Sequence, residues 1–236
     1  MGFSVFARLW ALFDLIEVFG FITVGDMVLK AFNPYAAVRV TENRLPHWQQ
    51  EGGVYFVTFR LGDSLPAHLL RKWEAERTAW VSRHPKPWSP EVEAEYHERF
   101  SSCIERWLDD SHGECLMREP AMAQLVGDAL AFFEGERGHQ IAWVVMPNHV
   151  HALFTPRPPW TLEKLLQSWK SFTAHAMNKR LRREGSRWQE DYFDRLIRDM
   201  KHFGNVVRYI RRNPTKARLR EGEYLLWESE LAKSVE

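Results

Sequence analysis

The chain has 236 residues, 45% of them hydrophobic and 14% aromatic, which is enough for one large domain or one domain with an insertion. Its two cysteines, Cys103 and Cys115, are too few for a disulfide framework and are typical of a reducing compartment, so we expect a cytoplasmic protein. The formal net charge is only +1, but this sum hides an uneven distribution.

The positive charge is concentrated towards the C-terminus. Residues 151–220 contain 17 Lys and Arg against 6 Asp and Glu, so the rest of the chain is net acidic. Such a local excess favours a polyanionic partner, most often nucleic acid. Solvated helix faces would explain the same charges, and composition alone does not choose between the two readings.

The first thirty residues are apolar, which raises the question of a membrane span. Charges interrupt them at Arg8, Asp14, Glu17, Asp26 and Lys30. The longest uncharged run, Val18 to Gly25, is far shorter than the ~20 residues that a span needs, and the charges also argue against a signal peptide. We therefore predict no membrane association and interpret residues 1–43 as a partly helical N-terminal extension.

Residues 33–50 predict a loop that leads into a main domain of about residues 44–220. Val54–Leu61 follows two glycines, is rich in β-branched and aromatic residues, and predicts a strand. Residues 66–108 are charged and helical in pattern, and we interpret them as a helical insertion that covers part of a sheet or forms a lid. Another helix is predicted at residues 121–134.

An apolar run from Ile141 to Met146, a Pro-Asn turn and a second run from Ala152 to Phe154 predict two strands, or one strand with a sharp break. His149 and His151 lie between these runs, and residues two apart on a strand project to the same face. Two neighbouring imidazoles form half of a divalent metal site. The alternative is a pair of hydrogen-bonded histidines beside a turn.

The remaining chain predicts a helix at Leu162–Leu181, an extended aromatic stretch at Arg187–Ile197 and a final helix at Lys201–Arg212. An Asn-Pro pair directly after the last helix is expected to stop it, because proline removes a backbone donor and clashes with the preceding turn. Residues 221–236 carry no motif and are interpreted as a C-terminal tail.

Tyr209 and Asn213 stand four residues apart near the end of this helix, so they share one helical face. The amide oxygen of Asn213 would be a third ligand for a hard cation held by the two imidazoles. A phenol is a poor nucleophile at neutral pH, and a divalent metal that polarises a phosphodiester would assist attack by Tyr209. Three neighbouring arginines would hold the phosphate backbone, namely Arg208, Arg211 and Arg212. The alternative for Tyr209 is an aromatic side chain packed on the sheet.

Taken in order, these residues resemble the single-tyrosine HUH transposases, and in particular the REP-associated tyrosine transposases. The main motifs are Met-Pro-Asn-His-Val-His at residues 146–151 and Tyr-Ile-Arg-Arg-Asn-Pro at residues 209–214. Further similar stretches are Tyr55–Phe59, Ser168–Ser171 and Trp188–Arg195. The resemblance extends from about Arg44 to Leu219.

The resemblance implies a ferredoxin-like α+β domain, an antiparallel sheet with helices on its face, to which the helical insertion is an addition. It implies that His149, His151 and Asn213 bind Mg²⁺ or Mn²⁺. It also implies that Tyr209 cleaves single-stranded DNA beside an imperfect hairpin and forms a 5′-phosphotyrosine, as a DNA endonuclease and strand transferase. Some relatives build the site across a homodimer and others do not, so both assemblies stay open.

Lys170 and Arg195 lie in the similar stretches and are predicted to contact the DNA backbone. Ordinary surface charge, or an ion pair with Asp191 or Asp194, would explain them equally well. Two other functions are compatible with the motifs: a hairpin-binding module without turnover, and a metal-dependent phosphodiesterase that uses water while Tyr209 is structural. The presence of all four motif residues favours the transferase.

Overall fold

The computed structural model describes residues 21–24, 27–33, 35–42, 46–85 and 88–236. Two short hairpins come first in the chain. Their strands are β1 (Phe21–Val24) with β2 (Met27–Lys30), and β3 (Arg39–Glu42) with β4 (Pro46–Gln49).

These hairpins bear on two expectations for the N-terminal region and correct the second, the loop at residues 33–50. In the described part of residues 1–43 the chain forms strands and no helix, and the predicted loop at residues 33–50 contains β3 and β4. Each strand obtains its backbone hydrogen bonds from the antiparallel strand that is its neighbour in the chain, and this pairing favours the extended conformation. The helix predicted before them falls on residues 1–20, which lie outside the described residues.

The centre of the molecule is an antiparallel sheet of five strands. They are β5 (Tyr55–Arg60), β6 (Gly138–Val145), β7 (His149–Pro156), β8 (Phe193–Leu196) and β9 (Leu225–Glu228). Their order across the sheet is β8-β5-β7-β6-β9, so β7 is the middle strand and pairs with both β5 and β6.

The described residues contain seven α-helices. They are α1 (Ala67–Arg83), α2 (Pro90–Tyr96), α3 (Ser102–Asp109), α4 (Pro120–Ala131), α5 (Leu162–Leu181), α6 (Met200–Lys216) and α7 (Glu230–Lys233). A π-helical turn at His97–Ser101 joins α2 to α3, and a 3₁₀ turn at Leu116–Arg118 precedes α4. No helix in the described part of the chain combines the length and the apolar character that crossing a bilayer requires.

The chain order β5, α4, β6, β7, α5, β8 is the βαββαβ arrangement of a ferredoxin-like domain, and it confirms the predicted fold class. Strand β9 extends the sheet by pairing with β6, with Trp227 opposite Trp143. The segment interpreted as a tail is therefore part of the sheet. Four residues are too few to show an alternating pattern in sequence, and the exposed edge of β6 supplies the partner that makes the strand.

Helices α1 to α3 form the predicted insertion between β5 and α4. Trp80 is 2% exposed and lies in an aromatic cluster with His84, Trp88, Tyr96 and Phe100. The insertion therefore has an aromatic core of its own.

Helix α6 starts with Asp199, whose side chain accepts a hydrogen bond from the His202 amide at 2.7 Å. We expected this helix to stop at the Asn-Pro pair, but it continues through Pro214 to Lys216. Proline deprives only the Ile210 carbonyl of its helical donor, and Pro214 is itself buried. The Ala217 amide donates to the Asn213 carbonyl at 2.9 Å, so the last turn closes beyond the proline.

Alternation along the strands gives the sheet two different faces. One face packs against α4 and α5 through residues such as Val57, Val150 and Phe154, and we call it the α4–α5 face. The other packs against α6 through residues such as Phe56 and Leu153, and we call it the α6 face.

Candidate active site

The two motif histidines lie side by side on the α6 face of the middle strand. Strand register places His149 opposite Arg60 and His151 opposite Thr58, both on β5. The intervening Val150 faces the other way, into the core of the α4–α5 face. Both imidazoles are almost completely buried, at 1% and 2% exposure. The period of two predicted from the sequence therefore brings these side chains together.

Each imidazole is oriented by a hydrogen bond at its inner nitrogen. Nδ1 of His149 lies 2.7 Å from Asn148 Oδ1, and Nδ1 of His151 lies 2.7 Å from Thr58 Oγ1. The two Nε2 atoms face each other at 3.0 Å. A polar partner on one ring nitrogen that directs the other nitrogen outward is how proteins orient metal-binding histidines.

Burial keeps these imidazoles neutral. Loss of solvent lowers the pKa of His149 to about 3, and the positive charge of Lys216 acts in the same direction. Burial also places the pKa of His151 well below its usual value, with His149 and Lys216 contributing. At neutral pH both rings are therefore uncharged and have a lone pair available for a ligand.

The tyrosine of the second motif reaches the histidine pair from α6. Tyr209 Oη lies 3.4 Å from His151 Nε2, and the two ring centroids are 5.1 Å apart in an edge-on arrangement. Phe56 on β5 stacks against His151 at 5.6 Å and meets the Tyr209 ring edge-on at 5.7 Å. The phenol is thus held at the histidine pair by aromatic packing.

Asn213 lies one turn further along α6 and is completely buried. Neither its Oδ1 nor its Nδ2 has a hydrogen-bond partner among the described residues. The amide nevertheless lies near enough to Tyr209 to lower the pKa of the phenol, against the larger effect of burial. Leaving a buried amide unpaired costs about 1–3 kcal/mol. Native proteins rarely keep such a group without a function, so this amide is a candidate ligand.

The phenol of Tyr209 is hard to ionise in this setting. Burial raises its pKa well above the ordinary value, and the negative charges of Glu105 and Asp109 on α3 raise it further. Arg195 opposes them more weakly. A nucleophilic role for this residue would therefore need additional positive charge beside the phenolic oxygen.

The donor atoms at this point fit a divalent cation of mixed nitrogen and oxygen preference. They are the two imidazole Nε2 atoms and the unpaired amide of Asn213. The described residues contain no cluster of three or more His, Cys, Asp or Glu side chains arranged to hold a metal ion. A third protein ligand would therefore be the amide, as the sequence motif indicated.

The three arginines beside Tyr209 differ in their surroundings. Arg208 donates to the main-chain carbonyl of Glu236 at 2.7 Å, and Arg211 forms a 2.9 Å ion pair with Glu228 on β9. Arg211 also donates to two carbonyls of the C-terminal segment, at 2.8 Å each. These contacts give Arg208 and Arg211 a role in fastening that segment to α6, while Arg212 is exposed.

The other two predicted DNA contacts are separated by the sheet. Arg195 lies on β8 opposite Phe56, on the α6 face with Tyr209. Lys170 lies on α5, on the opposite side of the sheet, where its Nζ donates to the Glu190 carbonyl at 2.6 Å. A groove of about 590 Å³ adjoins Lys170 there. The structure therefore places Arg195, but not Lys170, on the face of the sheet that carries the histidine pair, with Arg195 Nη2 3.3 Å from His97 Nδ1.

Several residues of the site were missed in the sequence. Thr58 and Asn148, which orient the imidazoles, lie within quoted motifs but had no assigned role. Lys216 stands seven residues after Tyr209, a spacing that two helical turns bring to the same face. Glu105 and Asp109 belong to the insertion, and nothing in the sequence indicates that α3 reaches α6.

Comparison with known proteins bears on this segment of the chain. The family model described as "Transposase IS200 like" matches residues 121–213, a range that contains all four motif residues. The match confirms the resemblance found in the sequence: the segment that carries the site is similar to the IS200-like transposases.

Two further comparisons complete this result. No curated protein matches the chain. Among solved structures, the chain is similar to a REP-associated tyrosine transposase bound to a REP hairpin, with 20% sequence identity and a TM-score of 0.42 over 75% of this chain and 73% of that one.

Proposed function

We propose that this protein is a metal-dependent DNA transposase that cleaves single-stranded DNA with Tyr209 as the nucleophile. One observation carries the proposal: the phenol of Tyr209, the facing Nε2 atoms of the two histidines and the unpaired amide of Asn213 meet inside the family-matched segment. Separate elements supply them, β7 the histidines and α6 the other two.

The proposed reaction is an exchange at one phosphorus atom. Oη of Tyr209 forms a bond to the phosphorus and loses its proton, while the bond from phosphorus to the 3′-oxygen breaks and that oxygen gains a proton. The products are a 5′-phosphotyrosine and a free 3′-hydroxyl. Because an ester replaces an ester, the step is reversible, and another 3′-hydroxyl can take the DNA end from the tyrosine.

His149, His151 and Asn213 would hold the metal, Mg²⁺ or Mn²⁺. When bound, a divalent cation polarises the phosphodiester and offsets the negative charge that develops in the reaction. Thr58 and Asn148 fix the two imidazoles through their Nδ1 atoms. Phe56 fixes the phenol at the edge of the His151 ring, which restricts the direction of attack.

The substrate we propose is single-stranded DNA next to an imperfect hairpin. The family match, the motif resemblance and the excess of Lys and Arg in residues 151–220 support a nucleic-acid substrate. Arg195 lies on the same face as Tyr209, and we propose it as a contact to a phosphate of the bound strand.

The test is a covalent-adduct assay. Single-stranded oligonucleotides carrying the imperfect hairpins that flank the gene are incubated with Mg²⁺, with Mn²⁺ or with EDTA, then separated on a denaturing gel. We expect a protease-sensitive protein–DNA adduct that requires metal and is absent in Tyr209→Phe. Cleavage that persists in Tyr209→Phe would reassign the protein as a phosphodiesterase using water. Tight hairpin binding without cleavage, in both proteins and with either metal, would reassign it as a binding module.

A further inference from the structure

A lysine that no motif includes stands beside the proposed nucleophile. Nζ of Lys216 lies 5.8 Å from the ring centroid of Tyr209, and both residues project from α6 two turns apart. Its charge also acts on both buried imidazoles. Lys216 therefore supplies a positive charge near the phenol, the histidine pair and the space where a phosphate would meet them. Its side chain is about half exposed, at 47%.

This lysine is held by the insertion. Nζ of Lys216 lies 2.9 Å from Asp109 Oδ2 and 4.0 Å from Glu105 Oε2, and both carboxylates belong to α3. The Asp109 side chain is 13% exposed, so the carboxylate of the closer pair is largely withdrawn from solvent. Burial raises the pKa of both carboxyl groups even with Lys216 beside them. The ion pair therefore keeps two acidic groups in an environment that does not favour their charge.

The acidic pair opposes the proposed chemistry in this arrangement. Glu105 and Asp109 raise the pKa of the Tyr209 phenol, and they would repel an incoming phosphodiester. They are not ligands of the histidine site, because no metal-holding cluster of His and acidic side chains occurs among the described residues. Their effect at the site is to occupy the ammonium group of Lys216.

An ammonium group binds a phosphate oxygen as readily as a carboxylate, so DNA and α3 compete for the same cation. We propose that Lys216 binds the phosphate attacked by Tyr209, and that Asp109 and Glu105 hold this lysine until DNA displaces them. The inference rests on the proposed function, because it assigns a phosphate contact within the same site. In this proposal the acidic side chains of the insertion compete with DNA for the Lys216 ammonium group beside Tyr209.

Binding is measured first, in the non-cleaving Tyr209→Phe background, with the fluorescent hairpin oligonucleotide and a series of salt concentrations. Each phosphate contact to single-stranded nucleic acid contributes a slope of about 0.7 to the fall of log affinity with log salt. Adding Lys216→Ala should lower the slope by about that amount and weaken binding about tenfold. Lys216→Arg should restore both.

The competitors are tested with Glu105→Gln and Asp109→Asn combined. These changes should tighten DNA binding, and the gain should disappear when Lys216→Ala is added. Lys72→Ala is the matched control, because Lys72 forms its ion pair with Glu76 within one exposed helix of the same insertion. It should leave the affinity and the salt slope unchanged.

Two results would overturn the inference. One is an unchanged salt slope in Lys216→Ala. The other is weaker DNA binding in the Glu105→Gln, Asp109→Asn protein, which is the result expected if the pair only fastens the insertion. Adduct formation by the chain with intact Tyr209 is scored separately. Failure of that assay with the salt-slope change present would reject the tyrosine chemistry and keep Lys216 as a phosphate contact.

Discussion

The two faces of the central sheet are built from the same strands but differ in the side chains that the middle strand places on them. On the α4–α5 face, Val57, Val150 and Phe154 are completely buried among apolar neighbours. On the α6 face, the alternate positions of β7 hold His149 and His151, whose Nε2 atoms face each other at 3.0 Å, with the Tyr209 phenol 3.4 Å from that of His151. One face is a packed core, and the other is a core interrupted by polar atoms.

Because of this difference, we expect the α4–α5 face to contribute mainly to stability and the α6 face mainly to function. Apolar burial on the α4–α5 face contributes to the free energy of folding in proportion to the area removed from water. The unpaired amide of Asn213 on the α6 face reduces stability, since a buried polar group without a partner is unfavourable. We therefore expect substitutions on the two faces to separate folding from chemistry.

The largest expected effect is on the chemistry of the α6 face. Tyr209→Phe should abolish the metal-dependent DNA adduct, because the phenyl ring has no oxygen to attack phosphorus, while thermal stability stays close to that of the unaltered protein. Gel analysis of the adduct and a thermal melt measure the two quantities.

Tyr55→Phe is the matched control on the other face. The Tyr55 hydroxyl bonds both the amide and the carbonyl of Gln50, at 2.6 and 2.7 Å. Its removal should cost about 1 kcal/mol of stability and leave the adduct intact. Loss of the adduct in Tyr55→Phe would show that the two faces are not functionally separate.

Phe154→Ala is expected to have the largest effect on folding. The ring is fully buried and packs edge-on against Trp169 at 4.9 Å, so truncation leaves a cavity and should lower the free energy of unfolding by about 3–5 kcal/mol. Urea unfolding measures the loss. Phe172→Ala on the same helix as Trp169 is the control, because Phe172 is 60% exposed and should change stability by less than about 0.5 kcal/mol.

The pH dependence of stability should report on the buried histidines. In the unfolded chain His149 takes up a proton below its ordinary pKa of 6.5, whereas in the native protein burial lowers the pKa to about 3. The unfolded state therefore binds more protons between these values, and stability falls as the pH drops from about 6.5 towards 3. The slope should approach ~1.4 kcal/mol per pH unit for this one group.

The measurement is urea unfolding in EDTA across that pH range, with His149→Gln for comparison. The Gln variant, which has no titrating group at this position, should show a shallower decline. Equal slopes for the two proteins would mean that His149 is not kept neutral by burial.

Asn213→Leu should have a small effect on stability, and it should stabilise rather than destabilise the protein. It replaces an unpaired buried amide by an apolar side chain, so stability without metal should rise by about 1 kcal/mol. Adduct formation should fall at least about tenfold if the amide is a ligand. A stable variant with full activity would remove Asn213 from the site.

Asn148→Leu is the contrasting change at an equally buried asparagine. Both polar atoms of the Asn148 side chain are hydrogen-bonded, since its Nδ2 donates to the His112 carbonyl at 3.0 Å and its Oδ1 lies 2.7 Å from His149 Nδ1. This variant should lose stability, because it breaks two hydrogen bonds and leaves buried partners unsatisfied.

Local sequence patterns were sufficient to predict several features of this protein. The period of two placed His149 and His151 on one face, since successive side chains of a strand point to opposite sides. The bounds of α5 agreed with the prediction of Leu162–Leu181, because Thr161 caps its first turn and an apolar stripe runs along its length. The helical spacing of Tyr209 and Asn213 likewise gave their common face.

Contacts between distant segments were decided only by the tertiary structure. Strand β9 forms because it pairs with the edge of β6. Helix α6 continues through Pro214, which is buried, and Arg211 forms an ion pair with Glu228 on β9. None of these has a period or spacing that a sequence displays. The meeting of Asp109 with Lys216 is of the same kind, since α3 and α6 are far apart in the chain and only folding makes them neighbours.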